Sequence, residues 1–161
     1  MRASLRSTVF RLGFNLWPCY RGSGGRVTFI AGDWSEVRVR LPLSWRTRNY
    51  VGTIYGGSIY AAIDPFYMLM LIHRLGPGYE VWDKAATVRF RKPGRAALTA
   101  RMTIPEGEEA AIGEALRGGR SVDRTYRVEL VDAAGVVHAE VEKVVYVRLR
   151  YNGEPTLEPR S

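Results

Sequence analysis

Apolar and polar positions alternate along several stretches of this chain and give way, in one place, to an almost unbroken apolar run. Alternation with a period of two marks half-buried strands. It predicts strands over Val27–Ala31 and Trp34–Leu43, the second with Val37, Val39 and Leu41 on one face and Arg38 and Arg40 on the other. Further strands are predicted over Glu80–Arg91, Ala97–Ile104, Thr125–Val131 and Val136–Arg150. Gly32-Asp33, Pro93-Gly94 and Asp132-Ala133-Ala134-Gly135 supply turns between them. Pro105–Arg117 reads as a short helix: proline near its start, acids in the first turn, Arg117 in the last and Gly118 just after.

The apolar run follows a glycine-punctuated turn, NYVGTIYGG, and extends from Ser58 to Leu75 with Asp64 and Arg74 as its only charged residues. A segment apolar on every side is a helix that other elements wrap around. At about 18 residues it is long enough to approach a membrane span, but its polar entry and the mid-run Asp64-Pro65 argue against one. An acid in such a helix is costly unless it has a partner or a task.

At the start of the chain, Arg2, Arg6 and Arg11 lie among Leu5, Val9, Phe10, Leu12 and Leu16. Arg11 interrupts any signal-peptide core. The segment reads as a basic amphipathic helix over 1–17, which either docks on its own domain or touches a membrane surface. Trp17–Gly25 reads as a loop. The expected organisation is one domain over 1–151, followed by a flexible polar tail over 152–161. Its class is α+β: a mostly antiparallel sheet that buries one face around one long central helix. The sheet's open edges predict pairing into a dimer.

Composition narrows the chemistry. Hydrophobic content of 46% and charged content of 25% are ordinary globular values. One cysteine, Cys19, excludes an internal disulfide and fits a reducing compartment, so the cytoplasm is the expected location. Two histidines, His73 and His138, are too few for a histidine-rich metal centre, and no metal is expected. The formal charge of +8 favours anionic partners such as coenzyme A phosphates, an acidic carrier, nucleic acid or anionic lipid. No stacked-aromatic or recognition motif accompanies the arginines, so nucleic acid is not expected. Cys19 is expected to be packed, His138 to be exposed, and Asp83-Lys84 to be a structural ion pair or two groups on opposite strand faces.

Asn49, then Tyr55-Gly56-Gly57 six residues later, then Asp64 nine residues beyond Tyr55, resembles the helix-entry motif of hotdog-fold acyl-CoA thioesterases of the phenylacetate-degradation type. In those enzymes a histidine stands where this chain has Tyr55. VRFRKPGRAALTARM is similar to the family's strand-turn-strand after the helix. Asp64–Tyr67 and Trp82–Lys84 resemble an uncharacterised, thioesterase-like branch of that superfamily. The resemblance covers roughly Trp17 to Arg148. It implies a hotdog fold, thioester hydrolysis, a homodimer or dimer of dimers with sites across the interface, and no cofactor beyond coenzyme A as part of the substrate.

The residues support that chemistry in their own right. Gly56 and Gly57 at a helix start leave amide groups unobstructed for a thioester carbonyl, or else merely permit a tight turn. Asp64 is the candidate base or nucleophile, or else it caps a helix starting at Pro65. Asn49 either orients water or serves its turn. Tyr55 donates a hydrogen bond or walls the pocket; with an unperturbed pKa of about 10 it is a poor base near neutrality. Arg89, Arg91, Lys92 and Arg95 around Pro93-Gly94 are the candidate contacts for nucleotide phosphates, or else solvated surface.

Overall fold

A computed structural model describes residues 2–150. In chain order its elements are α1 (Leu5–Leu16), α2 (Pro18–Ser23), β1 (Arg26–Ile30), β2 (Glu36–Leu41), α3 (Gly56–Ala61), α4 (Phe66–Leu75), β3 (Tyr79–Phe90), β4 (Leu98–Thr103), α5 (Glu108–Arg117), β5 (Ser121–Val131) and β6 (Val137–Leu149). The strands form one antiparallel sheet in the order β1-β2-β4-β5-β6-β3. Alternation places Val37, Val39 and Leu41 of β2, Leu98 and Met102 of β4, and Val128 and Leu130 of β5 in the core. Against that face lie Ile59, Ile63, Phe66, Tyr67, Met70 and Leu71 from α3, α4 and the turn between them. Each large apolar side chain buried there contributes about 1.5–3 kcal/mol.

The single long central helix expected from the apolar run is in fact two helices. α3 stops at Ala61, residues 62–65 form a turn, and α4 starts at Phe66. Proline explains the break: Pro65 has no amide hydrogen, and in a continuous helix its ring would meet the Ala61 carbonyl. Instead the amides of Ile63 and Asp64 both reach the Tyr60 carbonyl, at 3.0 and 2.9 Å. The side chains of both helices pack on the sheet's buried face, with a break between them at Asp64-Pro65.

Other expectations also shift. Trp17–Gly25 is largely helical rather than a loop, because Pro18 occupies the first helical position, where its missing N–H costs nothing. β5 begins four residues before the predicted Thr125. Cys19 is exposed rather than packed. His138 is buried rather than exposed: it is the extra residue of a bulge where Leu130 pairs Ala139 and Val131 pairs Val137. There its ring bonds the Pro93 carbonyl and Asp132 Oδ2, each at 3.1 Å.

α1 docks on its own domain. Phe10 and Phe14 pack onto the core, and the Asn15 amide bonds both main-chain polar groups of Val27, at 2.8 and 2.9 Å. That contact covers part of an edge strand that would otherwise invite pairing. Among the described residues the other edge, β3, has no neighbour beyond β6. No helix of the described residues is long and apolar enough to cross a membrane. The expected tail over 152–161 lies outside the described residues.

Candidate active site

At the turn between α3 and α4 the Asp64 side chain is 42% exposed, and its Oδ1 receives a hydrogen bond of 2.8 Å from Lys143 Nζ. Lys143 itself is wholly buried. It stands on β6 in the inward row Ala139, Val141, Lys143, Val145, Val147, so alternation alone delivers an ammonium into the core. A buried ammonium must be paired. Lys143 meets Asp64, Asp83 Oδ2 at 3.0 Å and the Tyr60 hydroxyl at 3.1 Å. Its ammonium also lies 5.2 Å from the centre of the Tyr60 ring.

Asp83 continues the inward row of Val81 on β3, and a second bulge follows it. Asp83 pairs with Val145 and Ala85 with Val144, which leaves Lys84 as the extra residue. Lys84 turns outward to Asp123, at 2.6 Å, while Asp83 turns inward to Lys143. Asp83 and Lys84 are therefore separate groups on opposite faces, the second of the two readings above.

Two carboxylates face one ammonium, so charge is unbalanced. Burial pushes Asp83 above the usual aspartate value; Lys143 pulls it down and the Asp64 charge adds to the rise, with a net upward shift. Asp83 Oδ1 is buried with no hydrogen-bond partner. Burial would lower Lys143, but its bonds to Asp64, Tyr60 and Asp83 outweigh that and hold the ammonium above the usual lysine value. Burial raises the Tyr60 phenol, and the neighbouring Asp64 raises it further. Lys143 is thus a fixed cation, not a base.

The turn that carries Asp64 is braced from the other side. The Tyr20 hydroxyl donates to the Ala62 carbonyl at 3.0 Å, and Gly25 packs so closely that a Cβ there would lie 2.9 Å from Ala62 Cβ. Along the same inner face of the sheet, Tyr126 pairs opposite Lys143. Tyr126 donates to Glu108, which also holds Arg124 through two bonds of 2.8 Å, and its ring stacks on Tyr67 at 4.7 Å.

The remaining predicted residues fall as follows. Gly56 and Gly57 open α3, whose first amides have no partner within the helix. The Tyr55 side chain is largely exposed but folds over Gly57, where a Cβ would lie 2.3 Å from its ring. Asn49 serves its own loop: its amide bonds both the N–H and the hydroxyl of Thr53, at 2.9 Å each. No hydrogen bond joins it to Asp64 among the described residues. The turn bearing Lys92 and Arg95 packs against this entry loop, with the Ile54 amide donating to the Gly94 carbonyl at 2.8 Å. Arg91 is engaged by Glu140 through two bonds on the outer face of the sheet. Arg89 lines a shallow outer cavity of about 490 Å³ with Thr87, Arg127 and Glu142.

Lys143 and Tyr60 are the residues the sequence reading missed. For Lys143 a signal existed, a lone lysine in the apolar row of an alternating strand.

One six-stranded antiparallel sheet packed against the α3–α4 pair is a hotdog-type α+β fold, and solved structures share it. A protein of unknown function from Pseudomonas aeruginosa, described as a probable thioesterase, superposes with a TM-score of 0.80 at 17% identity, over 93% of this chain and 100% of its own. A thioesterase from Haemophilus influenzae gives 0.69 at 15% identity, over 94% and 96%. A protein of unknown function from Chlorobaculum tepidum gives 0.72 at 14%, over 90% and 95%. No curated protein matches the chain. The chain belongs to the family described as a domain of unknown function, DUF4442, whose profile matches residues 6–147.

Proposed function

We propose that the protein hydrolyses acyl thioesters, coenzyme A or an acyl carrier being part of the substrate. The observation that carries this reading is the half-open Asp64 carboxylate, held on one oxygen by buried Lys143 just past the end of the helix that Gly56 and Gly57 open. Asp64 takes a proton from water as the water oxygen attacks the thioester carbonyl carbon. The α3 amides of Gly56 and Gly57 receive the oxyanion of the tetrahedral intermediate, a role worth about 2.7–4 kcal/mol per donor in a known case. The C–S bond then breaks, and the leaving thiolate takes the proton that Asp64 holds, which restores the carboxylate. Lys143 acts through Asp64: it fixes the carboxylate's orientation.

Lys92 and Arg95 sit on the turn packed against the entry loop and are the members of the basic group best placed for nucleotide phosphates. A homodimer paired along β3 belongs to the same reading, since residues 84–87 of that strand are exposed.

A second reading is a protein that binds acyl groups without turnover. Tyr55 favours it, because a tyrosine stands where the resemblance places a histidine and is a poor base near neutrality. Release of free thiol from a panel of acyl-CoA substrates, measured beside their binding, separates the two. Thiol release supports hydrolysis; binding with no release overturns it.

A further inference from the structure

The first helix has two apolar faces, and only one of them is used. Phe10 and Phe14 pack inward, and Ser7 Oγ donates to the Ile30 carbonyl at 3.0 Å. On the opposite side Leu5, Val9, Leu12 and Leu16 are 83%, 62%, 52% and 69% exposed. Their spacing of four, three and four residues puts them in a single row about 16 Å long. Exposed Trp17 follows at the C-terminal end of the helix. A lone exposed leucine needs no explanation, but a continuous row does.

Charge indicates what covers it. No Asp or Glu precedes Asp33, whereas Arg2, Arg6, Arg11, Arg21 and Arg26 do, so this stretch carries five positive charges and no negative one. On the helix, Arg6 and Arg11 flank the row on its two sides. An apolar row between arginines, with a tryptophan after the helix, has the makeup of a helix lying in the plane of a lipid interface. A second copy paired along β3 does not reach it, because α1 sits on β1 at the far edge of the sheet.

We infer that α1 seats the protein on anionic membrane surfaces, with Leu5, Val9, Leu12 and Leu16 in the headgroup boundary and the flanking arginines on lipid phosphates. This rests on surface residues outside the Asp64 site and stands whether or not the protein hydrolyses thioesters.

Co-sedimentation of the full chain with vesicles tests it. Vesicles of phosphatidylcholine with phosphatidylglycerol are expected to carry the protein down, vesicles of phosphatidylcholine alone far less, and added salt to release it. Val9→Glu/Leu12→Glu alters only exposed side chains, and circular dichroism checks that its fold is kept. The affinity of this variant is expected to fall about tenfold or more, since burying an apolar side chain is worth at least that factor. No binding to anionic vesicles overturns the proposal, as does equal binding by the variant. A wild-type dimer that ignores vesicles and becomes monomeric in the variant also overturns it, by showing a second copy on this face.

Discussion

Lys143 Nζ lies 2.8 Å from Asp64 Oδ1, a wholly buried cation bonded to a half-exposed acid. The pair joins β6 to the turn between α3 and α4. It therefore ties the sheet to the position of the proposed base.

Breaking that pair should cost stability. Lys143→Met leaves Asp64 and Asp83 without their shared cation. We expect a loss of about 3 kcal/mol, the low end of the range for a broken buried pair, because Asp64 keeps access to water. Urea unfolding measures it. Asp83→Asn in the same background should recover part of the loss, since it removes the more deeply buried of the two stranded charges. A loss below about 1 kcal/mol for Lys143→Met would contradict the assignment.

The pH dependence of stability should carry two opposite slopes. The folded-state value of Asp83 is raised from an ordinary 3.8, chiefly by burial. Its contribution is fully present below the unfolded pKa and is lost as pH rises through the folded value. For Glu108, burial pushes upward but the bonds from Arg124 and Tyr126 prevail and hold it below an ordinary 4.5. That contribution is present above 4.5 and is lost as pH falls below it. Stability curves of Asp83→Asn and Glu108→Gln against wild type should diverge in opposite directions from those two points.

How much of this was readable beforehand depends on the element. The strands announced themselves through alternation, because β2, β5 and β6 each bury one face. The helix break stayed one of two readings: Ser58–Leu75 is apolar enough for one helix, and Asp64-Pro65 equally marks the start of a second. Contact with Tyr20 and Gly25, distant in sequence, accompanies the stop. Asp64 stood out because an acid in an apolar run needs a partner. Its partner Lys143 was visible only as a lysine in an apolar row. Asp83 continues the inward row of Val81, but Asp83-Lys84 read either as an ion pair or as two groups on opposite faces. Asn49 looked equally suited to water or to its turn, and the Thr53 bonds belong to the turn.

The brace under the turn is testable on its own. Tyr20→Phe strips the Ala62 carbonyl of its buried donor and should cost about 1–2 kcal/mol. Gly25→Ala should cost more, because the new Cβ would lie 3.1 Å from the Ala62 main chain as well as 2.9 Å from its Cβ. Thermal unfolding measures both. Under the proposed function, Gly25→Ala should also lower turnover by moving Asp64. Unchanged stability in Gly25→Ala would show that the contact is not close.

If Lys92 and Arg95 meet nucleotide phosphates, replacing both by Ala should raise KM for acyl-CoA about tenfold with little change in kcat, as for loss of a charge-assisted bond. Thioesters of N-acetylcysteamine, which lack the nucleotide, should be unaffected. An equal effect on both substrate types would remove the phosphate role.

The most direct test compares thioester turnover by wild type and Asp64→Asn on the acyl-CoA that the wild type cleaves best. Asn keeps the size of the side chain but cannot take a proton from water. The account predicts a fall in kcat of about 100-fold or more, within the range for a lost general base, with KM nearly unchanged. Turnover by Asp64→Asn within a few-fold of wild type would contradict it.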